Sequence, residues 1–446
     1  MTAAAWTSRA AAGPMRYAST RGGSPAVPIG AAIAAGLAPD GGLYVPEVLP
    51  QLDPAAFDPD GTLADTAATL LAPFFAGDAL ADALPAICAE SLNLEIPLRP
   101  LAQADAHVLE LFHGPTAAFK DVGARFLAAC MRRLPRADTR PLTILVATSG
   151  DTGAAVGAAF HRQPGLRVVI LYPDGKVSPR QAHQLGCFGD NVHALRIDGC
   201  FDDCQRMVKA ALGDTALQAE VPLTSANSIS LGRLLPQMTY YAQAALGSWR
   251  ERGKPLNLIV PTGNLGNAMA CLWVREMGLP IGEVQLACNA NATLPDYFGG
   301  GDYEPRAAIA TLANAMDVGA PSNIERLRWT FPDERALRQL VQAHSASDQA
   351  IRESIAEHAR AHGEVFCPHT ATAVHRLDQL RAAGDTRAWT VVATAHPAKF
   401  DSVVEPLVGH AIGVPPSLHA MLARPAIAEP MRADENALRK FLQSLR

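Results

Sequence analysis

Short apolar runs alternate with helical stretches through most of this sequence of 446 residues. Strands are predicted at residues 108–112, 142–147, 166–172, 191–197, 256–261, 284–289 and 389–394. These runs are rich in Leu, Val and Ile, as is typical of strands buried on both faces of a parallel sheet. Parallel strands need crossover connections, and the helical stretches between the runs are long enough to supply them. The pattern predicts an α/β protein with two parallel-sheet-bearing domains and an N-terminal α/β segment.

Changes in pattern along the chain suggest four segments. Residues 1–14 are expected to be a disordered tail, and residues 15–100 an N-terminal domain. Residues 101–215 and 216–446 are expected to be the two α/β domains, the second with a helical C-terminal part. Apolar residues make up 49% of the chain and charged residues 18%, which indicates a globular protein with a large core.

Charge and composition argue against several classes of function. The net charge is −5 with no long basic run, so neither a nucleic acid nor a membrane surface is an expected partner. No apolar run reaches the roughly 20 residues that a membrane-spanning helix needs. The eight cysteines are scattered without metal-ligand spacing, so no metal is expected. Such cysteines are typical of reduced thiols, and the protein is expected to be cytoplasmic.

Two glycine-containing loops each follow a predicted strand and precede a predicted helix. The first is Pro-Thr-Gly-Asn-Leu-Gly-Asn at residues 261–267, and the second is Ser-Gly-Asp-Thr-Gly at residues 149–153. Glycine lets the backbone approach a ligand closely, and a helix start offers unpaired N–H groups and a positive dipole end. Both loops therefore predict anion sites, although either could be an ordinary strand–helix turn.

Residues near these loops disagree with the common nucleotide-binding motifs. Gly266 is followed by Asn267 rather than lysine, which excludes a P-loop. The next strand ends near Asn289 without the acidic residue of a dinucleotide fold. Asp151 does not suit an anion site, because its carboxylate would repel the ligand; it could instead cap the helix. Both loops would be used either by one ligand with two anionic ends or by a phosphorylated cofactor together with an anionic substrate.

The chain has six lysines, and their settings differ. Lys120 follows Phe119 where a strand end meets a helix start, an apolar setting that disfavours the ammonium form. A lysine with a lowered pKa can attack an aldehyde, as enzymes that use pyridoxal 5'-phosphate (PLP) require. Lys176 and Lys399 lie in loops near strand ends and remain alternatives. Lys120 is the best of the six, and PLP is the expected cofactor.

Seven motifs, in order along the chain, resemble those of the threonine synthases. They are Tyr-Ala-Ser-Thr-Arg-Gly-Gly at 17–23, Gly-Leu-Ala-Pro-Asp-Gly-Gly-Leu-Tyr at 36–44, Leu-Glu-Leu-Phe-His-Gly-Pro-Thr-Ala-Ala-Phe-Lys-Asp at 109–121, Ala-Thr-Ser-Gly-Asp-Thr-Gly-Ala at 147–154, Ser-Ala-Asn-Ser-Ile at 225–229, the loop at 261–267, and Thr-Ala-His-Pro-Ala-Lys-Phe at 394–400. The likeness runs from about residue 15 onwards. It is to the branch of the family with an extended N-terminal domain.

The resemblance implies the tryptophan-synthase-β-like fold of PLP enzymes, fold type II. It also implies a phospho-lyase reaction that converts O-phospho-L-homoserine and water to L-threonine and phosphate. Lys120 would be the catalytic lysine that forms a Schiff base with PLP. The other cofactor-binding residues would be Gly263, Asn264, Leu265, Gly266, Asn267 and Thr394, of which Thr394 would face the pyridine nitrogen. The substrate-binding residues would be Ser149, Thr152, Asn227, Ser228 and Arg233.

Two alternative functions remain open at this point. One is another fold-type-II lyase, such as a threonine dehydratase, and the other is a PLP-binding protein without turnover. The segments at 225–228 and 395–400 argue against the first, and the presence of Lys120 argues against the second. The protein is expected to be a monomer or a homodimer.

Overall fold

The computed structural model describes residues 13–135 and 138–445, so the predicted tail at 1–14 lies almost wholly outside the described residues. The strands in this part of the chain are β1 (Tyr17–Ser19), β2 (Tyr44–Pro46), β3 (Leu98–Pro100), β4 (Ala106–Glu110), β5 (Leu142–Ala147), β6 (Leu166–Pro173), β7 (Val192–Asp198), β8 (Leu223–Ser225), β9 (Leu256–Pro261), β10 (Ile281–Cys288), β11 (Val341–Ser345), β12 (Trp389–Ala393) and β13 (Glu429–Arg432).

Helices connect and cover these strands. In the same part of the chain they are α1 (Ile29–Ala35), α2 (Leu63–Leu71), α3 (Leu84–Ser91), α4 (Lys120–Arg133), α5 (Asp151–Phe160), α6 (Pro179–Gly186), α7 (Phe201–Gly213), α8 (Thr215–Glu220), α9 (Leu231–Leu234), α10 (Gln237–Arg252), α11 (Gly266–Glu276), α12 (Thr293–Phe298), α13 (Ile324–Thr330), α14 (Glu334–Leu340), α15 (Asp348–His362), α16 (Pro368–Ala382), α17 (Asp401–Val408), α18 (Pro416–Leu422) and α19 (Glu435–Ser444).

Two sheets organise the molecule. The larger has six strands in the order β11-β10-β9-β12-β4-β3, all parallel except the edge pair β3 and β4. The smaller has five parallel strands in the order β13-β7-β6-β5-β8. Central residues such as Ile259 and Val391, which pair with each other, are fully buried. The predicted α/β architecture with two parallel sheets is confirmed.

Most of the N-terminal segment packs onto this framework, and its last strand, β3, extends the larger sheet as an antiparallel edge strand. Its strands β1 and β2 form a separate antiparallel pair. Inside it, the Tyr17 hydroxyl donates a hydrogen bond of 2.7 Å to the carbonyl of Phe74. Phe75 makes an edge-on contact with Phe126 of α4, with 6.0 Å between ring centroids. Apolar burial against α4 therefore joins this segment to the α/β part of the molecule.

The two sheets are not made from two consecutive stretches of chain. Strand β4, from the predicted 101–215 unit, pairs with β12 in the larger sheet. Strands β8 and β13, both from the predicted 216–446 unit, belong to the smaller sheet. The predicted boundary near residue 215 therefore does not separate the sheets. The pattern of apolar runs locates strands, but pairing between distant strands decides which sheet each one joins.

The described residues also lack two features of other protein classes. Within residues 13–135 and 138–445, no helix is both long enough and apolar enough to cross a membrane. In those same ranges, no three His, Cys, Asp or Glu side chains are grouped so that they could hold a metal ion. All eight cysteines are free thiols.

Candidate active site

A cavity of about 340 Å³ lies where strands of both sheets end. Its walls include residues that directly follow the carboxyl ends of β5, β8, β9 and β12, which is where parallel sheets place their ligands. Every site residue predicted from the sequence lines this cavity: Lys120, Ser149, Thr152, Asn227, Ser228, Arg233, Gly263, Asn264, Leu265, Gly266, Asn267 and Thr394. The fold therefore brings together side chains that are far apart in the sequence.

Lys120 is the first residue of α4, and it borders the cavity. Burial lowers the pKa of its ammonium to about 8; the Asp151 carboxylate opposes this shift, and Arg233 and Lys399 add to it. Its Nζ lies 5.8 Å from the centre of the Phe119 ring. A neutral amine is therefore well populated at mildly alkaline pH, and a neutral amine is the form that attacks an aldehyde.

The glycine loop after β9 leads directly into α11. Leu265 adopts a left-handed conformation with φ of 62°, and α11 begins at Gly266. The Asn264 side-chain amide donates to Ser228 Oγ at 3.2 Å, and the backbone carbonyl of Asn264 accepts from Asn323 Nδ2 at 2.8 Å. The first turn of α11 therefore borders the cavity, where its unpaired amides and the positive dipole end favour an anion.

Asn267 adds a fixed donor to this anion site. Its Oδ1 accepts hydrogen bonds from the hydroxyls of Tyr240 at 2.5 Å and Tyr241 at 2.8 Å. Its buried Nδ2 has no hydrogen-bond partner in the described part of the chain. Because the two tyrosines fix the amide through its oxygen, the nitrogen is left to donate to a ligand. This orphaned donor beside a helix start fits the phosphate of a cofactor such as PLP.

Replacing Gly263 with alanine is expected to destabilise the protein by about 1–3 kcal/mol, as overpacking does. An added Cβ at Gly263 would lie 2.8 Å from the Met316 Cα and 3.0 Å from its carbonyl oxygen, so backbone must move. Gly266→Ala is the matched control, because its Cβ would meet nothing closer than Asn323 Nδ2 at 3.6 Å. Chemical denaturation of the cofactor-free variants would measure both effects. An equal loss in the two variants would contradict this interpretation.

Arg233 is a buried cation at the cavity wall without a carboxylate partner among the described residues. Its Nη1 donates to the carbonyl of Ala226 at 3.0 Å, but its buried Nε has no hydrogen-bond partner in those residues. Burial lowers the pKa of its guanidinium to about 10, so it stays charged at neutral pH. A buried charge with an open donor at a cavity is suited to an anionic ligand. Because Arg233 is only 1% exposed, it is not part of a surface ion pair.

Arg326 is a second buried arginine with a different role. Its Nε donates to the carbonyl of Tyr44 at 3.0 Å, its Nη1 to Asn323 Oδ1 at 2.7 Å, and its Nη2 to the carbonyl of Ile229 at 2.5 Å. It therefore ties the N-terminal segment to the loops around the cavity. All three of its nitrogens have protein partners, whereas the Nε of Arg233 has none in the described residues.

The remaining predicted substrate residues belong to two tightly bonded loops. Thr148 Oγ1 accepts from the amides of Gly150 at 3.0 Å and Gly153 at 2.9 Å, which shapes the loop that carries Ser149 and Thr152. In the other loop, Asn227 Oδ1 accepts from the amide of Ser228 at 2.6 Å. Both loops present hydroxyl or amide groups to the cavity, and these can orient a substrate.

Thr394 connects the end of β12 to the segment that carries Lys120. Its carbonyl accepts from the amide of Phe119 at 2.8 Å. Its own amide donates to Thr370 Oγ1 at 3.3 Å. The Thr394 side chain lines the cavity, where its hydroxyl can meet a ligand. The arrangement suits a neutral hydroxyl partner for a cofactor ring.

Sequence reasoning missed an ion pair beside Lys120. Lys399 is fully buried, and its Nζ lies 2.9 Å from Asp151 Oδ1. Burial alone would raise the pKa of the Asp151 carboxyl, but Lys399 and Lys120 outweigh burial and hold it well below its usual range. Asp151 is the first residue of α5 rather than its N-cap, and Thr148 Oγ1 accepts from the Gly153 amide of the first turn. The alternative role of Asp151 as a helix cap is therefore wrong.

His369 and the loop at 306–320 were also missed. His369 Nε2 accepts from the Ala315 amide at 3.0 Å, and burial lowers the pKa of the imidazole to about 4, so it is neutral. The loop contributes Met316, whose backbone covers Gly263. This stretch is irregular in structure and carries no recognisable motif, so no pattern in the sequence singles it out.

Comparisons with known proteins agree with this arrangement. A family model described as "Pyridoxal-phosphate dependent enzyme" matches residues 96–397. Models of the N terminus and the C-terminal part of threonine synthase match residues 16–92 and 370–442. The extended N-terminal segment thus has a family model of its own.

Similar proteins cover nearly the whole chain. Threonine synthase of Serratia marcescens is 38% identical over 93% of this chain and 96% of its own length. The crystal structure of threonine synthase from Escherichia coli has a TM-score of 0.86 and 34% identity, covering 97% of this chain and all of that one. A PLP-bound threonine synthase structure from Brucella melitensis also has a TM-score of 0.86, with 33% identity, and covers 96% and 99%. The chain therefore belongs to the threonine synthase family of PLP-dependent, fold-type-II enzymes.

Proposed function

We propose that this chain converts O-phospho-L-homoserine and water to L-threonine and phosphate, with PLP bound in the cavity. The observation that carries this proposal is the presence of two separate anion sites around one lysine. The start of α11 with Asn267 is one site, and Arg233 is the other. A phosphorylated cofactor and a phosphorylated substrate need two such sites, with an amine between them.

The residues present fit PLP. Lys120 would bind its aldehyde carbon, and Gly263 to Asn267 would hold its phosphate through backbone amides and the free Asn267 nitrogen. Thr394 would face the pyridine nitrogen. When bound, the cofactor supplies an electron sink for the electrons left behind when a proton leaves the substrate Cα. A neutral hydroxyl partner need not keep the ring protonated, which should disfavour transamination.

Lys120 would also move protons once the substrate amine has taken its place on the cofactor. The reaction removes protons from Cα and Cβ and releases phosphate from Cγ. Protons then return to Cγ and Cα, and the hydroxyl of water adds at Cβ. A base works best when its pKa lies near the working pH, and the pKa of Lys120, about 8, meets this condition. Its Nζ is our choice for the group that accepts the Cα proton.

Arg233 would bind the substrate phosphate and remain bonded to it as it leaves. A guanidinium can pair with two phosphate oxygens at once, and burial strengthens that attraction. Ser149, Thr152, Asn227 and Ser228 would orient the remaining polar groups of the substrate through their hydroxyls and amides. The Arg233 side chain is only 1% exposed, so it would meet the phosphate with little competing water.

Addition of O-phospho-L-homoserine to the purified PLP-loaded protein is expected to release phosphate and threonine in equal amounts. Colorimetric phosphate assay and amino-acid chromatography would measure the two products in parallel, with Lys120→Ala as the inactive control. Phosphate accompanied by 2-oxobutyrate instead of threonine would identify a lyase of the dehydratase type. Neither product would identify a PLP-binding protein without turnover, and either outcome would overturn the proposal.

A further inference from the structure

A second buried lysine is close enough to Lys120 to affect its pKa, and it pairs with one carboxylate. Lys399 belongs to the one-turn segment Pro397–Phe400 that follows β12, and its side chain has no exposed surface. Its Nζ is 2.9 Å from Oδ1 of Asp151, which is only 3% exposed. The proposed reaction assigns no step to either residue. A buried charge pair of this kind is costly unless further hydrogen bonds satisfy both partners.

Neighbouring side chains hold this pair in one arrangement. Gln181 Nε2 donates to Asp151 Oδ1 at 3.1 Å, and Lys399 Nζ donates to the carbonyl of Thr116 at 2.7 Å. Thr116 is fixed in turn, because its amide and hydroxyl donate to the Asp121 carboxylate at 2.9 and 2.8 Å. Thr116 and Asp121 flank Lys120 in the sequence. The lysine–aspartate pair is therefore bonded directly to one end of the segment that carries Lys120, and through Thr116 to the other.

The titratable groups near Lys120 come from four elements. Asp151 at the start of α5 raises its pKa, whereas Arg233 of α9 and Lys399 of the segment after β12 lower it. His369 of α16 is also near, but it is neutral because burial keeps its pKa at about 4. Asp151 is thus the one negative charge among these groups. The lysine that pairs with Asp151 gains a counter-ion that stabilises its ammonium form. That lysine is Lys399, whose Nζ lies 2.9 Å from Asp151 Oδ1.

We propose that Lys399 is a positioning residue that occupies the Asp151 carboxylate and so leaves Lys120 free to become the neutral amine that takes up the cofactor. Uptake joins Lys120 Nζ to the aldehyde carbon by a C=N bond, and the aldehyde oxygen leaves as water with both amine protons. An ammonium cannot take this step, because it has no free electron pair. The inference rests on the assignment of Lys120 as the cofactor lysine in the proposed function.

The test follows PLP uptake by the full-length, cofactor-free protein as a function of pH, using the absorbance of lysine-bound PLP. Lys399→Met leaves Asp151 with Lys120 as its nearest cation, so the midpoint of the rate profile should move to higher pH. A rise of one pKa unit would make uptake about tenfold slower below the midpoint. Asp151→Asn keeps the side-chain shape but removes the carboxylate, and its midpoint should move to lower pH. The double variant should lie closer to wild type than either single variant does.

If Lys399 and Asp151 only supported the fold, their replacement would not move the pH midpoint in opposite directions, and the two shifts would not cancel in the double variant. Lys440→Met is the matched control, because it removes an exposed lysine of α19 and should leave the profile unchanged. If Lys399→Met fails to fold, Asp151→Asn and the double variant still decide the question. Profiles that coincide with wild type, or single variants that shift in the same direction, would overturn the inference. Normal PLP uptake by Lys120→Ala would instead overturn the assignment of Lys120, which is a separate outcome.

Discussion

The Lys120→Ala variant is expected to lose at least about 10³-fold in turnover and to lack the absorbance band of lysine-bound PLP. A positioned acid–base group alone contributes about 10²–10⁴-fold, and this lysine is also the proposed site of cofactor attachment. The alanine side chain removes the amine whose pKa burial has lowered to about 8. Steady-state assays of phosphate release and an absorbance spectrum of the purified variant would measure the two losses.

This prediction holds if the Lys120→Ala variant loses both the absorbance band of lysine-bound PLP and its turnover. Lys440→Met provides the comparison, since it removes a lysine from an exposed position far along the chain. Thermal unfolding of both variants would show whether the fold is retained. A persistent band in the Lys120→Ala spectrum would mean that another lysine holds the cofactor, and Lys399 would be the first to examine because it lies beside Asp151 in the same region.

Arg233→Met is expected to lower kcat/KM for O-phospho-L-homoserine by about 30-fold or more. Loss of one partner from a buried, hydrogen-bonded charge pair costs about 2–5 kcal/mol, and the substrate phosphate would be the partner left behind. The affinity for PLP should change little, because the proposed cofactor phosphate site is the start of α11. Steady-state kinetics and PLP titration would separate these two effects.

Arg326→Met is the matched control for this variant. Both arginines are buried, but Arg326 bonds to Tyr44, Asn323 and Ile229, whereas the Nε of Arg233 has no protein partner in the described residues. Loss of Arg326 should destabilise the fold by about 1–3 kcal/mol, because it strands buried acceptors. Loss of Arg233 should cost less stability and more activity. If Arg233→Met instead lost mainly stability and Arg326→Met mainly activity, Arg233 would not be the residue that binds the substrate phosphate.

The local sequence predicts those parts of the fold that depend on local patterns. Strands β5 and β9 were predicted with the bounds they have, because each is a short apolar run that ends at a glycine-containing loop. Strand β4 was predicted two residues too late in the chain. Its bounds follow its partner, since Ala106 pairs with Trp389 and Glu110 with Ala393, and no local pattern contains that pairing.

The candidate site divides in the same way. The two glycine-containing loops could be identified because their chemistry lies within a few consecutive residues. The pairing of Asp151 with Lys399 could not, because the sequence shows only that a carboxylate is out of place in an anion site and that a lysine follows a strand. Asp151 and Lys399 become partners only because the start of α5 packs against the segment after β12, and no local pattern shows that contact. Long-range contacts of this kind also explain why the predicted boundary near residue 215 does not separate the sheets.

The strand order of the larger sheet has a consequence for how the chain is synthesised. Strand β12 lies between β9 and β4, yet it is the last strand of that sheet along the chain. While a ribosome is still making the chain, the pairs β3–β4 and β9–β10 each have an open apolar edge. Such edges readily bind other chains, so the growing polypeptide is vulnerable to aggregation until residue 393 emerges. A chain truncated before β12 would therefore not form a smaller version of this sheet. It would contain two separate groups of strands, each with an unpaired edge strand.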